Sequence, residues 1–271
     1  MVTGPPRAII VGITSDIGLA VAKHWLQAGV SVVGSYRRPP DSAAQSVLEA
    51  GRLFPCDFCK DESIDAFVSE VESLRVGWNR LLVCPGTMNP IGPFESIDFD
   101  EWEAGFRINF LSTLRVIRGL LPLRERSAGP PVVLVFAGGG VNSAPRNFSA
   151  YTAAKIALIK MIELLAEEIN DTRFVILGPG WVETKIHQET LQASGSAVEA
   201  ARETRRRLES GDFVPMQRVV DCIDWATSED ATVTSGRNFS VVHDRWGETG
   251  LREKLLQDRN MYKLRRYGND E

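Results

Sequence analysis

Short apolar runs take turns along this chain with longer stretches whose apolar residues recur every three or four positions. Arg7–Gly12 (RAIIVG) is the first run, suited to a strand buried on both faces. Ile13–Gly29 follows, with Ile17, Val21, Ala22 and Trp25 forming a helical stripe that ends at a glycine. Val30–Arg38 (VSVVGSYRR) is a strand again. The alternation predicts further strands at Arg52–Cys56, Arg80–Cys84, Val132–Phe136, Phe174–Leu177 and Asn238–Val242, and helices at Glu62–Leu74, Phe99–Leu121, Ser149–Asn170 and Val219–Thr227. A polar segment, Glu183–Phe213, interrupts it. Strands alternating with helices predict a three-layered α/β fold, a doubly wound parallel sheet in a single domain. After His243 the chain continues with a helical stretch, Thr249–Arg259, and a charged end. That end is either a frayed terminus or, given Tyr262, Leu264 and Tyr267, a piece that packs on something, such as a second subunit.

The 271 residues suffice for one large core, and 44% hydrophobic with 24% charged residues is ordinary for a globular protein. A net charge of −4 and a pI near 5.6 give no basic field for nucleic acid. No apolar run has the length of a membrane span and the first residues lack a signal-peptide pattern, so the cytoplasm is the expected location. Cys56 and Cys59 form a lone C-x-x-C with no second ligand pair, and His24, His187 and His243 are scattered. Reduced thiols and no metal site are expected.

The chemistry concentrates in Val132–Lys155 (VVLVFAGGGVNSAPRNFSAYTAAK), an apolar run, a glycine-rich loop and a helix start. Tyr151 and Lys155 stand four apart and share a helix face. A cation beside a phenol lowers its pKa from about 10 and equips it for acid–base work. Upstream, a glycine-rich turn at Gly12–Gly18 lies between a strand and a helix, where a backbone approaches a pyrophosphate at a helix N-terminus.

These motifs together resemble the short-chain dehydrogenase/reductase family, over roughly Pro6 to Trp246. Residues 1–246 then form the domain, with a substrate lid at about 183–213, and 247–271 an extension. The resemblance implies that Gly12, Thr14, Ser15, Ile17 and Gly18 hold the pyrophosphate of a nicotinamide cofactor. Asp16 stands where the family has its middle glycine, and is expected to point away from the phosphates. Tyr36 holds the place of the acidic residue of NAD users, with Arg37 and Arg38 after it. Guanidinium groups match a 2′-phosphate, so NADP(H) is favoured over NAD(H). The other reading is a solvated turn with NAD bound without an acidic partner. Asp57 corresponds to the aspartate at the adenine, and Gly86, in Val83-Cys84-Pro85-Gly86, is the surviving glycine of the family's N-N-A-G. Asn109 corresponds to the asparagine that bends the long helix and holds a relay water. Pro179, Gly180, Val182 and Thr184 match the segment that grips the nicotinamide.

One departure stands out. The family serine, thirteen residues before the tyrosine, is Gly138 here, flanked by Ala137, Gly139 and Gly140. Asn142 and Ser143 are the nearest replacements, and Trp181 and His187 the expected pocket residues beside Gly138. The resemblance implies an oxidoreductase interconverting a ketone and a secondary alcohol on a polar molecule such as a sugar, cyclitol or natural product, with Tyr151, Lys155 and Asn109 catalytic. The alternative is a lyase or epimerase on the same fold, or a cofactor-binding protein with impaired catalysis. Arg202, Arg205, Arg206 and Arg207 suggest an anionic substrate or else a solvated helix face. A homodimer or homotetramer is implied through the two long helices, where Ala150, Ala153, Ala154 and Ala157 permit close approach.

Overall fold

The computed structural model describes residues 7–41, 44–45, 52–127, 129–192 and 198–266. Seven parallel strands form one sheet in the order β3-β2-β1-β4-β5-β6-β7. They are β1 (Arg7–Val11), β2 (Ser31–Tyr36), β3 (Arg52–Pro55), β4 (Arg80–Val83), β5 (Val132–Phe136), β6 (Arg173–Gly178) and β7 (Arg237–Ser240). The order reverses between β1 and β4, and ligands of such sheets bind at that reversal, beyond the strands' carboxyl ends.

Side chains of alternate parity feed two separate cores. Ile9, Val11, Leu81, Val83, Val133 and Val135 meet α2 (Asp61–Ser73), α4 (Ser112–Leu120) and α5 (Ser149–Glu168) on one face. Ala8, Ile10, Leu82, Val132 and Leu134 meet α1 (Asp16–Gln27) and α8 (Met216–Ser228) on the other. Burial of both faces explains why the strands read as unbroken apolar runs. Each fully buried Ile, Leu or Val here contributes ~1.5–3 kcal/mol.

The helix expected over Phe99–Leu121 is not continuous. It runs as α3 (Phe99–Phe106), a π-turn at Arg107–Leu111, and α4. In that turn the Ser112 N–H bonds the Arg107 carbonyl, five residues back. No helix among the described residues is long and apolar enough to cross a membrane.

The described part of the extension packs on its own chain. Leu251 and Leu255 of α9 (Thr249–Gln257) are buried in the sheet's core. Buried Arg237 donates to the carbonyls of Val233, Leu255 and Asp258. Arg265 grips Glu163 through both carboxylate oxygens, at 2.8 and 3.1 Å. Tyr262 sets its ring edge-on to Phe239 at 5.5 Å, and its carbonyl accepts from the Asn238 N–H at 2.9 Å. Tyr267 lies outside the described residues.

Candidate active site

The turn after β1 packs closely because two side chains are missing. Gly12 has φ +73°, and a Cβ there would stand 2.9 Å from the Pro85 ring. A Cβ on Gly18 would stand 2.6 Å from the Gly12 carbonyl oxygen. Ser15 caps α1, its hydroxyl oxygen accepting from the Gly18 N–H at 3.1 Å. Thr14 and Ile17 are half-buried beside it. Asp16 does turn aside. Its carboxylate accepts from the Lys185 backbone N–H at 2.7 Å, with the Lys185 ammonium 3.7 Å away. A glycine cradle at a helix N-terminus, with the one nearby carboxylate engaged elsewhere, fits the pyrophosphate of a dinucleotide.

The residues expected around the adenosine are less tightly drawn together. Arg37 and Arg38 follow the end of β2, exposed, and form no ion pair among the described residues. Asp57 is half-buried, and its carboxylate accepts from the Cys59 N–H at 3.0 Å, a turn contact. Cys56 and Cys59 are free thiols, and burial pushes Cys56 up to about 12. No group of three metal-binding side chains forms among the described residues.

Tyr151, Lys155 and Asn109 come together beyond the carboxyl ends of β4 and β5. Lys155 is buried, donates to the Phe136 carbonyl at 2.9 Å, and lies 5.8 Å from the Tyr151 ring centroid. Asn109 sits within the π-turn, fully buried. Its amide nitrogen donates to the carbonyls of Thr87 (2.8 Å) and Gly105 (2.9 Å), and its amide oxygen accepts from the Thr87 N–H at 3.2 Å. Gly86 lies between the two: a Cβ there would be 3.0 Å from the Asn109 amide oxygen and 3.8 Å from the Lys155 ammonium.

The electrostatics depart from expectation. The Tyr151 phenol is pushed up to about 12, first by burial and then by the Glu189 carboxylate. The expected lowering by Lys155 is absent, because the ammonium lies over the ring face and spends a proton on Phe136. Burial also brings Lys155 down to about 8. Both groups are thus held toward their neutral forms.

Gly138 is not a vacancy. A Cβ on it would stand 2.5 Å from Tyr151 Cε1 and 2.6 Å from the Tyr151 hydroxyl oxygen. The ring occupies the space of the side chain. Asn142 and Ser143 are exposed on the loop and make no hydrogen bond to Tyr151 or Lys155.

Beyond β6 the chain passes Pro179, Gly180, buried Val182 and Thr184, whose carbonyl accepts from the His187 N–H at 3.2 Å, and enters the segment expected as the lid, 183–213. It carries α6 (His187–Leu191) and α7 (Val198–Ser210). His187 is buried and donates from Nε2 to the Val182 carbonyl at 2.9 Å, which leaves Nδ1 as an unpartnered acceptor. Burial lowers its pKa and keeps it neutral. Trp181 stacks on it at 4.3 Å, and Arg207 lies 4.7 Å from the Trp181 ring. The arginine patch largely neutralises itself: Arg202 pairs with Glu199, and Arg206 and Arg207 with Glu203.

Two site residues escaped the sequence reading. Glu189 is one lid carboxylate among several, and nothing in its neighbours marks it. Thr87 directly follows the motif glycine Gly86, a position at which its hydroxyl could have drawn notice.

Comparison with known proteins places the chain among relatives of one family. The family model described as short chain dehydrogenase matches residues 6–195. The chain is 23% identical over 249 residues to D-beta-hydroxybutyrate dehydrogenase of Rhizobium meliloti, covering 86% of this chain and 96% of the relative. It is 26% identical over 242 residues to human dehydrogenase/reductase SDR family member 4, covering 86% and 85%. Among solved structures, the aldohexose dehydrogenase of Thermoplasma acidophilum superposes with a TM-score of 0.73 at 18% identity, covering 88% of this chain and 92% of that one. The family match spans most of the chain, and the protein therefore belongs to the short-chain dehydrogenase/reductase family of NAD(P)-dependent oxidoreductases.

Proposed function

We propose that the protein interconverts a ketone and a secondary alcohol on a polar small molecule, using NADP(H). The observation that carries this reading is the meeting of Tyr151, Lys155 and Asn109 beyond the carboxyl ends of β4 and β5, at the same end of the parallel sheet as the Gly12–Gly18 turn after β1. When bound, the cofactor supplies or accepts the hydride. Tyr151, protonated at neutral pH, gives its proton to the carbonyl oxygen during reduction and takes it back during oxidation. Lys155 holds the sugar next to the nicotinamide and restores the phenol's proton, and Asn109 anchors the path by which that proton is replaced. Val182 and Thr184 orient the nicotinamide, and Trp181 and His187 wall the substrate side. Arg37 and Arg38, which form no ion pair among the described residues, support a 2′-phosphate at the adenosine end. Self-pairing of the arginines on α7 argues for a neutral polar substrate over an anionic one.

A panel of polar ketones offered with NADPH and with NADH, followed by the absorbance of the reduced nicotinamide, tests the reading. NADPH-dependent turnover that Tyr151→Phe abolishes is the expected result. Cofactor binding without turnover of any ketone would overturn it. That outcome would favour the second reading, an epimerase, a lyase or an impaired binder. Its support is the absence of a side-chain donor at Gly138 and a phenol that burial keeps protonated.

Assembly as a homodimer or homotetramer belongs to the same proposal. Ala150 and Ala154 face the chain's own core, so they are not the close-approach residues. Support comes instead from exposed Phe99, Leu111 and Leu164 on the long helices, and light scattering after size exclusion tests it. The four free thiols support a cytoplasmic location.

A further inference from the structure

The lid reaches the rest of the molecule through Glu189, and the contact does not stop there. A single carboxylate oxygen of Glu189 accepts from the Met88 N–H at 2.6 Å and from the Thr87 hydroxyl at 2.9 Å. The next lid residue, buried Thr190, donates its hydroxyl to the Met88 sulfur at 3.1 Å. Thr87 in turn clamps Asn109 from both sides, its N–H on the amide oxygen at 3.2 Å and its carbonyl on the amide nitrogen at 2.8 Å. An unbroken chain of hydrogen bonds therefore runs from the lid helix through the loop after β4 to the π-turn. At its far end the Asn109 amide faces Gly86, with the Lys155 ammonium on the other side.

We infer that Glu189 is a positioning residue that registers α6, in the lid segment, to Asn109 through Thr87. Two donors from consecutive residues on one charged oxygen fix the lid helix both along and around its axis. Asp16, at the start of α1, holds the same segment four residues earlier through the Lys185 N–H at 2.7 Å. With residues 185–190 held at two points, ordering this segment and ordering Asn109 become one event. Only the kinetic part of this inference rests on the proposed reaction.

The test compares wild type, Glu189→Ala, Glu189→Gln and Thr87→Val as the full chain saturated with NADPH. Amide hydrogen exchange is read at residues 183–192 and 105–113, alongside kcat and KM for a turned-over ketone. Glu189→Ala, which removes both charge-assisted hydrogen bonds, is expected to speed exchange in both segments and to lower kcat/KM about tenfold or more. Glu189→Gln keeps an acceptor oxygen and is expected to stay within about threefold of wild type. Thr87→Val is expected to loosen 105–113 as Glu189→Ala does. Faster exchange confined to the lid overturns the coupling, and unchanged exchange in both segments overturns the latch. Absence of turnover in every protein, wild type included, would sink the proposed reaction while the exchange data still decide the latch.

Discussion

Gly138→Ser appears at first to restore the donor the family uses, yet the packing predicts the opposite effect. A Cβ at this position would stand 2.5, 2.6 and 2.7 Å from Cε1, the hydroxyl oxygen and Cζ of Tyr151. Carbon atoms in contact sit comfortably at about 3.5–4.0 Å. The ring must therefore retreat by roughly 1 Å, which for a reacting group costs about 10²-fold in rate. Overpacking adds ~1–3 kcal/mol of lost stability. A restored hydroxyl would be worth ~3 kcal/mol to the transition state, but only with the phenol in place. Loss should therefore win: kcat/KM falls about 10²-fold, and Gly138→Ala falls as far, because the harm lies in the Cβ. Steady-state kinetics on both variants, with thermal melts alongside, decide the matter. A serine variant that exceeds wild type about tenfold while the alanine variant does not would refute the reasoning.

Other outcomes follow from the same site. Lys155 drops from 10.5 to about 8 on folding, so between about pH 8 and 10.5 the unfolded chain holds a proton the folded chain has released, and stability from this group rises with pH. Urea midpoints at pH values across that window should show wild type gaining on Lys155→Met by up to about 3 kcal/mol, and a flat difference would contradict it. Above about pH 10 the Tyr151 phenol, held up to about 12, works the other way, and stability from it declines as pH rises. Asn109→Ala strands the Thr87 N–H and the Thr87 and Gly105 carbonyls, and should cost about 2–3 kcal/mol in a denaturant titration. Replacing Arg37 and Arg38 by alanine should weaken NADPH by about tenfold or more while sparing NADH, read by fluorescence titration; equal losses for both cofactors would remove the 2′-phosphate reading.

The sequence made the sheet legible because both its faces are buried, which leaves apolar runs such as VVLVF at Val132–Phe136 with no helical period to confuse them. Tyr151 and Lys155 were legible because a single helix turn sets their distance. Asn109 was legible through the family resemblance, which implied a local bend of the long helix there; the π-turn is the form that irregularity takes. What escaped depends on contacts distant in sequence. Glu189 meets Thr87 across 102 positions, and Gly138 meets the Tyr151 ring through the shape of a loop. The direction of the Tyr151 shift was misread for the same reason: helical spacing brings Lys155 near the ring but does not aim its proton.

The tail has a consequence for solubility. β7 lies at the end of the sheet, with β6 on one side only. Its outward-facing Asn238 N–H would otherwise be an open docking point for a strand of another molecule, the usual seed of edge-to-edge aggregation. The Tyr262 carbonyl takes that donor, and Arg265 ties the tail down on Glu163. The last described residues thus act as a selvedge on the sheet, and trimming the chain after Asp258 would leave that border raw.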